Sequence, residues 1–428
     1  LRRWPFSRSM LDPWYRRAQS FCNLAGDFDL ANWSASNGGP LPIDSKRLST
    51  QVYRFLYPSD LGVLYADRLA EADNVDVLLN GNLTHLALDP SGNRVKELTI
   101  RSLTGQTQRI EAKAVVLACG GIENPRLLLA SNDVAKNGIG NGYDVVGRYF
   151  MDHPMAIVGR FAPASAQFDH NYYTIEDYND VGIGQKMHAG LTLSEDLVRS
   201  EELNQCALYM VRRPYYKTTA EYYSTSGTAL NYLVDVVKRN EPLDRSLKET
   251  VGRMLSGPRD LGRTLGRLAA HQLQRRFVAG LRVEMESRPL RESHIRLSKQ
   301  RDALGMPKVE VNWQIHPDDR RGLDRLLEEV QVEFQRAEIG EIVLFARDRR
   351  SQCPRGMTGA KNHMGATRMN RDPQQGVVDE NCRVHSVDNL YVAGTSVFPT
   401  GGYANPGLTL LALALRLADH LKATAGIS

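Results

Sequence analysis

Residues 114–130, AVVLACGGIENPRLLLA, decide the fold class. Ala114 to Ala118 is apolar on both faces of an extended chain, as a strand buried in a parallel sheet is. The strand runs into Cys119-Gly120-Gly121 and then a helical pattern, expected to open at Asn124-Pro125. Such a strand–turn–helix unit places a tight turn and a helix N-terminus at the carboxyl end of a buried strand, where α/β sheets hold ligands. A second unit, NLYVAGTSVFPTGGYANPGLTLLALALRLADHL, spans residues 389–421. Here a strand ends in small residues, a glycine-rich turn follows, and Asn405-Pro406 starts the last helix, with proline at the first helical position.

Working outward, Val75 to Ala112 alternates between strand patterns and turns, which reads as an antiparallel meander. Asp12-Pro13 reads as an N-cap and first turn for a helix over 13–24, ending at Gly26, and 60–70 as another helix. The middle of the chain carries strand-like pieces: AIVGRF, GLTLS, ALYMV, LRVEME and HIRLS. Residues 317–338 form a clear amphipathic helix with Pro317 at its start. Residues 248–276 read as a basic helix with seven Lys or Arg against two acids, and Arg259, Arg263 and Arg267 at spacings of four share a face.

The chain has 428 residues, 42% hydrophobic and 24% charged, which suits a globular protein of two or three domain-sized units and excludes disordered, collagenous and coiled-coil classes. The longest apolar runs, Ala114 to Cys119 and Leu408 to Leu415, fall far short of the roughly 20 residues that cross a bilayer. Five scattered cysteines show no zinc or disulfide spacing. The net charge of +5 is mild for this length, and no basic–aromatic stripe argues for nucleic acid. The first ten residues, LRRWPFSRSM, lack the apolar core of a signal peptide; the sequence leaves the location unknown, with the bacterial cytoplasm or the membrane periphery as the expectation.

The two units, with KNHMGATRMNRDPQQGVVDENCRVHSVDNLYV (361–392) between them, resemble the glucose–methanol–choline (GMC) oxidoreductase family, FAD enzymes that oxidise alcohols, sugars and related hydroxyl compounds. WPFSRSMLDPWYRRA (4–18), VGRYFMDHP (146–154) and HIRLSKQRDALGMPKVEVNW (294–313) resemble family segments in the same order. The resemblance implies an α/β fold: an FAD-binding Rossmann-like domain on a parallel sheet, and an α+β substrate domain on an antiparallel sheet. The implied division is 1–59 as a connecting segment next to the flavin site, 60–150 and 355–428 as parts of the FAD-binding domain, and 151–354 as the substrate domain. The family opens with a strand–GxGxxG–helix unit. The near match here, Gly138-Ile139-Gly140-Asn141-Gly142, follows a helix and reads as a loop. The sequence, beginning at Leu1, is therefore expected to be truncated at its N-terminus and the Rossmann-like domain incomplete.

The resemblance also implies roles. Asn405 is expected to touch the substrate hydroxyl, against the alternative of a plain helix cap. Pro406 and the positive end of the last helix would face the edge of the flavin that gains negative charge on reduction. Gly120 would line the cofactor site, and Leu83 would lend backbone to the adenine. Gly394 and Thr395 would contact the ribityl–phosphate portion, although family members often carry Asp at the position of Gly394. Alcohol oxidation needs a proton acceptor, and histidine suits that role. The family often shows HHMGTTRM, with its catalytic histidine first. A gapless match puts Asn362 there and His363 second. Either a one-residue shift brings His363 to the flavin, which is the preferred reading, or Asn362 holds the base position and activity is impaired or altered. His153 is expected to hydrogen-bond loop backbone, His385 to pack near the surface, and Asp379 and Arg383 to form a local turn pair. The expected activity is dehydrogenation of a sugar, polyol or other alcohol, with electrons passing to a quinone or cytochrome. An oxygen-using oxidase is the second choice and a flavin-free, inactive partner the rival. The 248–276 face would be solvated, or would dock an acidic membrane surface or acceptor protein.

Overall fold

The computed structural model describes residues 4–22, 24, 34, 38–55, 61–165, 172–175, 186–213, 229–230, 232–233, 246–271, 278–348 and 353–425. In chain order the elements are α1 (Asp12–Phe21), β1 (Leu48–Phe55), α2 (Leu61–Ala70), β2 (Asn82–Leu88), β3 (Val95–Arg101), β4 (Thr107–Ile110), β5 (Val115–Leu117) and α3 (Gly120–Ala130). Then come β6 (Pro154–Pro163), β7 (Thr174–Ile175), β8 (Lys186–Leu193), α4 (Glu195–Ser200), β9 (Cys206–Arg213), α5 (Leu247–Leu255), α6 (Pro258–His271) and β10 (Val278–Met285). Last are β11 (His294–Arg301), β12 (Pro307–Asn312), α7 (Pro317–Arg336), β13 (Gly340–Leu344), β14 (Thr358–Gly359), β15 (Leu390–Val392) and α8 (Gly407–Ala425).

Two cores organise these elements. The first surrounds β5 and β15, which pair in parallel, Val115 opposite Leu390 and Leu117 opposite Val392. Leu127 and Leu128 of α3, Leu413 and Leu417 of α8, and Leu86 and Leu88 of the β2–β3–β4 meander bury themselves against the pair. The second core lies under an eight-stranded sheet ordered β1-β8-β9-β10-β6-β13, with β14 paired to β6 and β7 to β9. Leu323, Leu326, Leu327, Val330 and Phe334 form the apolar stripe of α7 and pack on this sheet with Leu191, Leu208, Leu281 and Val283. β1 pairs with β8 along its whole length. The β11–β12 hairpin lies against α3, where Arg126 bonds the Pro307 carbonyl at 2.7 Å and pairs with Asp302.

Several local expectations need correction. Asp12 is already helical and pairs with Arg8, while Leu11 holds the cap position; Gly26 lies outside the described residues. α3 begins at Gly120 rather than at Asn124-Pro125. Asn124 turns its side chain inward, accepts the Cys119 N–H and donates to Ala393 O and Ser396 Oγ. This ties the ends of β5 and β15 together and makes the early helix start worth its missing bond at Pro125. β5 is buried on one face only: Val116, at its centre, is 40% exposed. The basic segment is two helices broken at Gly257, with 272–276 outside the described residues. α8 begins at Gly407, one residue after Pro406.

Candidate active site

Three segments remote in sequence meet at the carboxyl ends of β5 and β15. The first is the Gly120-Gly121 start of α3. The second is Gly394-Thr395, directly after β15. Gly394 has φ +122°, a backbone state that penalises any side chain. The third is the loop carrying Asn362 and His363. Thr395 Oγ1 donates to the His363 carbonyl at 2.6 Å. Gly121 lies so close to His363 that a methyl group there would collide with the same carbonyl. Gly120, Gly394, Thr395 and His363 therefore form one edge.

Asp152, buried just before β6, organises that loop. Its carboxylate accepts the backbone N–H groups of His153 at 2.8 Å, Asn362 at 2.8 Å and Lys361 at 3.2 Å. It also faces His363, whose Nε2 lies 3.9 Å from Oδ2. The His363 ring packs beside Phe150, with centroids 5.7 Å apart, and its side chain is 34% exposed. A solvent-reachable imidazole beside a fixed carboxylate can accept a proton and hold the resulting charge. Asn362 points elsewhere. Its Nδ2 donates to Nδ1 of the fully buried His153 at 3.1 Å. The His153 ring thus bonds the Asn362 side chain, its carbonyl accepts the Ala360 N–H at 3.0 Å, and desolvation lowers its pKa. Its Nε2 is buried beside the Gly401-Gly402 backbone without a bond of good geometry.

Gly401 also lies against Met364, so the turn leading to Asn405 packs on the His363 loop. Asn405 is exposed, and its Oδ1 accepts the Gly407 N–H at 3.3 Å as a cap. Pro406 is buried beneath it. A cavity of about 400 Å³ opens beside this turn, lined by Trp4, Phe6, Tyr15, Phe398, Tyr403 and Asn405 among others. Leu83 stands apart. It sits on β2 opposite Ile100, its side chain packed on the core that α3 shares. His385 is half-buried and bonds Asn370 O at 2.8 Å, and Arg383 lies 3.5 Å from Asp379. Gly138 to Gly142 form a loop after α3.

Sequence reasoning missed Asp152, the His153–Asn362 bond and Asn124. MDHP and ENP each place a short polar side chain beside a turn, which marks a residue able to bond backbone but not the remote backbone it bonds. The fully buried Arg368, 4.5 Å over the Tyr149 ring, gave no such signal.

Residues 64–155 match the N-terminal part and residues 289–414 the C-terminal part of the GMC oxidoreductase family. The chain is 26% identical over 362 residues to the fructose dehydrogenase large subunit of Gluconobacter japonicus, covering 84% of this chain and 56% of that one. It is 24% identical over 329 residues to 2-methyl-1,2-propanediol dehydrogenase of Mycolicibacterium austroafricanum, covering 76% and 50%. An FAD-dependent oxidoreductase from Chaetomium thermophilum has a similar fold, with a TM-score of 0.50 and 14% identity over 85% of this chain and 64% of that one. The chain belongs to the GMC oxidoreductase family. It spans about half the length of the curated relatives it matches. Among the described residues no helix is long and apolar enough to cross a membrane.

Proposed function

We propose that this protein oxidises the CH–OH group of a sugar, polyol or other alcohol, with FAD as cofactor, His363 as proton acceptor and Asn405 orienting the oxygen. The observation that carries this reading is the meeting of Gly120, Gly394-Thr395 and the His363 loop at the open edge of the parallel pair. The edge fits a flat anionic cofactor. A Cβ on Gly120 would meet no atom within 4 Å, and one on Gly394 only Asn124 Nδ2 at 3.8 Å. The first turn of α3 has no side-chain cap, so its N–H groups are available to an anion. FAD bound there would supply the hydride acceptor. Gly120, Gly394, Thr395, Asn405 and Pro406 would hold it, with Leu83 toward the adenine. Residues 60–150 and 355–428 would form its domain, and 151–354 the substrate side.

His363 accepts the hydroxyl proton, its Nε2 lying 3.9 Å from the Asp152 carboxylate. The N-terminus of α8, behind Asn405 and Pro406, favours negative charge gained on the cofactor side. Two relatives are named dehydrogenases of a sugar and a diol and others are named oxidases, so the choice between dehydrogenation and oxygen use falls to the reoxidation test below. In dehydrogenation, a quinone, cytochrome or other acceptor would take the electrons. Arg259 and Arg263 are exposed on α6 and offer it a basic face; the side chain of Arg267 lies outside the described residues. The test is anaerobic mixing of the full-length protein with sugars, polyols and simple alcohols. The flavin absorbance should bleach with at least one of them, and the reduced protein should reoxidise faster with a quinone analogue than with oxygen. No bleaching by any alcohol would overturn the reading.

A further inference from the structure

The strands of the large sheet alternate between two unlike faces. On β10, Leu281, Val283 and Met285 are fully buried toward α7, so Arg282 and Glu284 occupy the opposite face. The register sets Tyr53 opposite His188 and Tyr209 opposite Arg282, which completes a polar face across β1, β8, β9 and β10. The rings form a cluster. Tyr53 stacks on His188 at 5.7 Å, and Tyr209 meets both edge-on, at 5.3 and 5.1 Å. Gly190 makes this possible, because a Cβ there would lie 2.8 Å from the Tyr209 ring and 3.1 Å from that of Tyr53. The Arg282 guanidinium sits 5.7 Å from the Tyr209 ring centre and pairs with Glu284.

This polar face is buried. His188, Tyr209 and Glu284 are each less than a tenth exposed. Yet the Tyr53 hydroxyl and Arg282 Nε are buried without hydrogen-bond partners among the described residues. The Tyr53 hydroxyl faces those of Tyr209 and Tyr403 without reaching bonding geometry. Tyr403 belongs to the turn between Gly402 and Asn405, and the similarly unpartnered His153 Nε2 lies beside the same turn. Buried polar atoms with no protein partner are rare and call for a ligand or water that supplies one.

We propose that Tyr53, Tyr209, Arg282 and Glu284 form a recognition wall for a polyhydroxylated substrate, so that the protein selects sugars or polyols over simple alcohols. This rests on the alcohol-oxidising reading above and names its substrate class. The wall offers donors in the tyrosines and Arg282 and an acceptor in Glu284. Burial keeps both tyrosines protonated, and burial with Arg282 nearby pushes the pKa of His188 down to about 3, so it stays neutral. A sugar or polyol has hydroxyls to spare beyond the one oxidised, and each can both donate and accept. A simple alcohol uses its one hydroxyl at the reacting carbon and leaves the wall unpaired, which is how a polar site rejects an analogue that lacks a bonding group.

The test compares D-glucitol, D-glucose and D-fructose with 1-butanol on the full-length holoprotein. Binding is measured by calorimetry and flavin reduction separately, with Tyr53→Phe and Glu284→Gln as near-isosteric variants checked for folding by thermal melting. The wild type should bind at least one of the polyhydroxylated probes more tightly than 1-butanol. Each variant should weaken that preference by about tenfold or more. A wild type that prefers 1-butanol, or variants that leave the preference unchanged or weaken both classes equally, would overturn the wall. Should one variant fail to fold, the other decides. Binding of a polyol without flavin reduction would support the wall and sink the alcohol-oxidising reading. Flavin reduction with no change in preference would do the reverse.

Discussion

His363→Ala should slow flavin reduction by about 10²–10⁴-fold, the range a positioned general base contributes. The expectation follows from the ring's exposure and from the Asp152 carboxylate 3.9 Å from Nε2, which together suit a proton acceptor. Asn362→His separates the two registers. Asn362 is turned toward His153, so a histidine there would meet another buried ring and should raise the rate little. If His363→Ala leaves the rate intact while Asn362→His accelerates it strongly, the base position belongs to residue 362 and His363 only packs the loop. Asn405→Ala should slow reduction in either case by less than loss of the base. Its stability must be measured alongside, because the side chain also caps α8, a role worth about 1 kcal/mol.

The second large effect is expected at Asp152. Asp152→Ala removes the acceptor for three backbone N–H groups, on His153, Lys361 and Asn362. Leaving a buried donor unpaired costs roughly 1–3 kcal/mol, and of the three residues only His153 is fully buried, so the variant should lose about 1–3 kcal/mol in urea unfolding. Lys361 has φ +66°, an unfavourable state for a residue with a side chain, and the bond to Asp152 helps hold it there. The loop should relax when that bond goes, and flavin reduction should fall with it. Asp152→Asn keeps one acceptor oxygen and should lose less stability. It still removes the carboxylate beside His363, so flavin reduction should slow even where the melting temperature is nearly kept. An Asp152→Ala protein as stable and as fast as wild type would show that the carboxylate does not order the loop.

How much was legible in the sequence depends on where each residue's partner lies. The strand at 115–117, the turn after it and the parallel partner at 390–392 could be read because apolar runs and glycines are local signals. The start of α3 could not, since it depends on Asn124 reaching Ala393 and Ser396, about 270 residues away in sequence. The exposure of Val116 was equally hidden, because an apolar residue does not reveal whether both faces of its strand are covered. The candidate site divided in the same way. Gly120, Gly394 and Asn405 could be picked out as candidates from turn chemistry and resemblance, because each stands in a local strand–turn–helix pattern. The role of Asp152 was not, because its partners are the backbone of residues 361 and 362, which leave no mark on side-chain pattern. The polar sheet face was illegible for a related reason. Tyr53, His188, Tyr209 and Arg282 come from four strands, and only the register brings them together.

The central claim, that a CH–OH carbon gives up hydride at this site, is tested most directly by a primary deuterium isotope effect on flavin reduction. The full-length protein is mixed anaerobically with a reducing polyol or sugar, unlabelled and deuterated at the oxidised carbon, at saturating concentration. The account predicts that the flavin bleaches with both and clearly more slowly with the deuterated compound, and that His363→Ala slows both. Bleaching at equal rates in wild type and His363→Ala, with no isotope effect, or no bleaching by any alcohol, would contradict it.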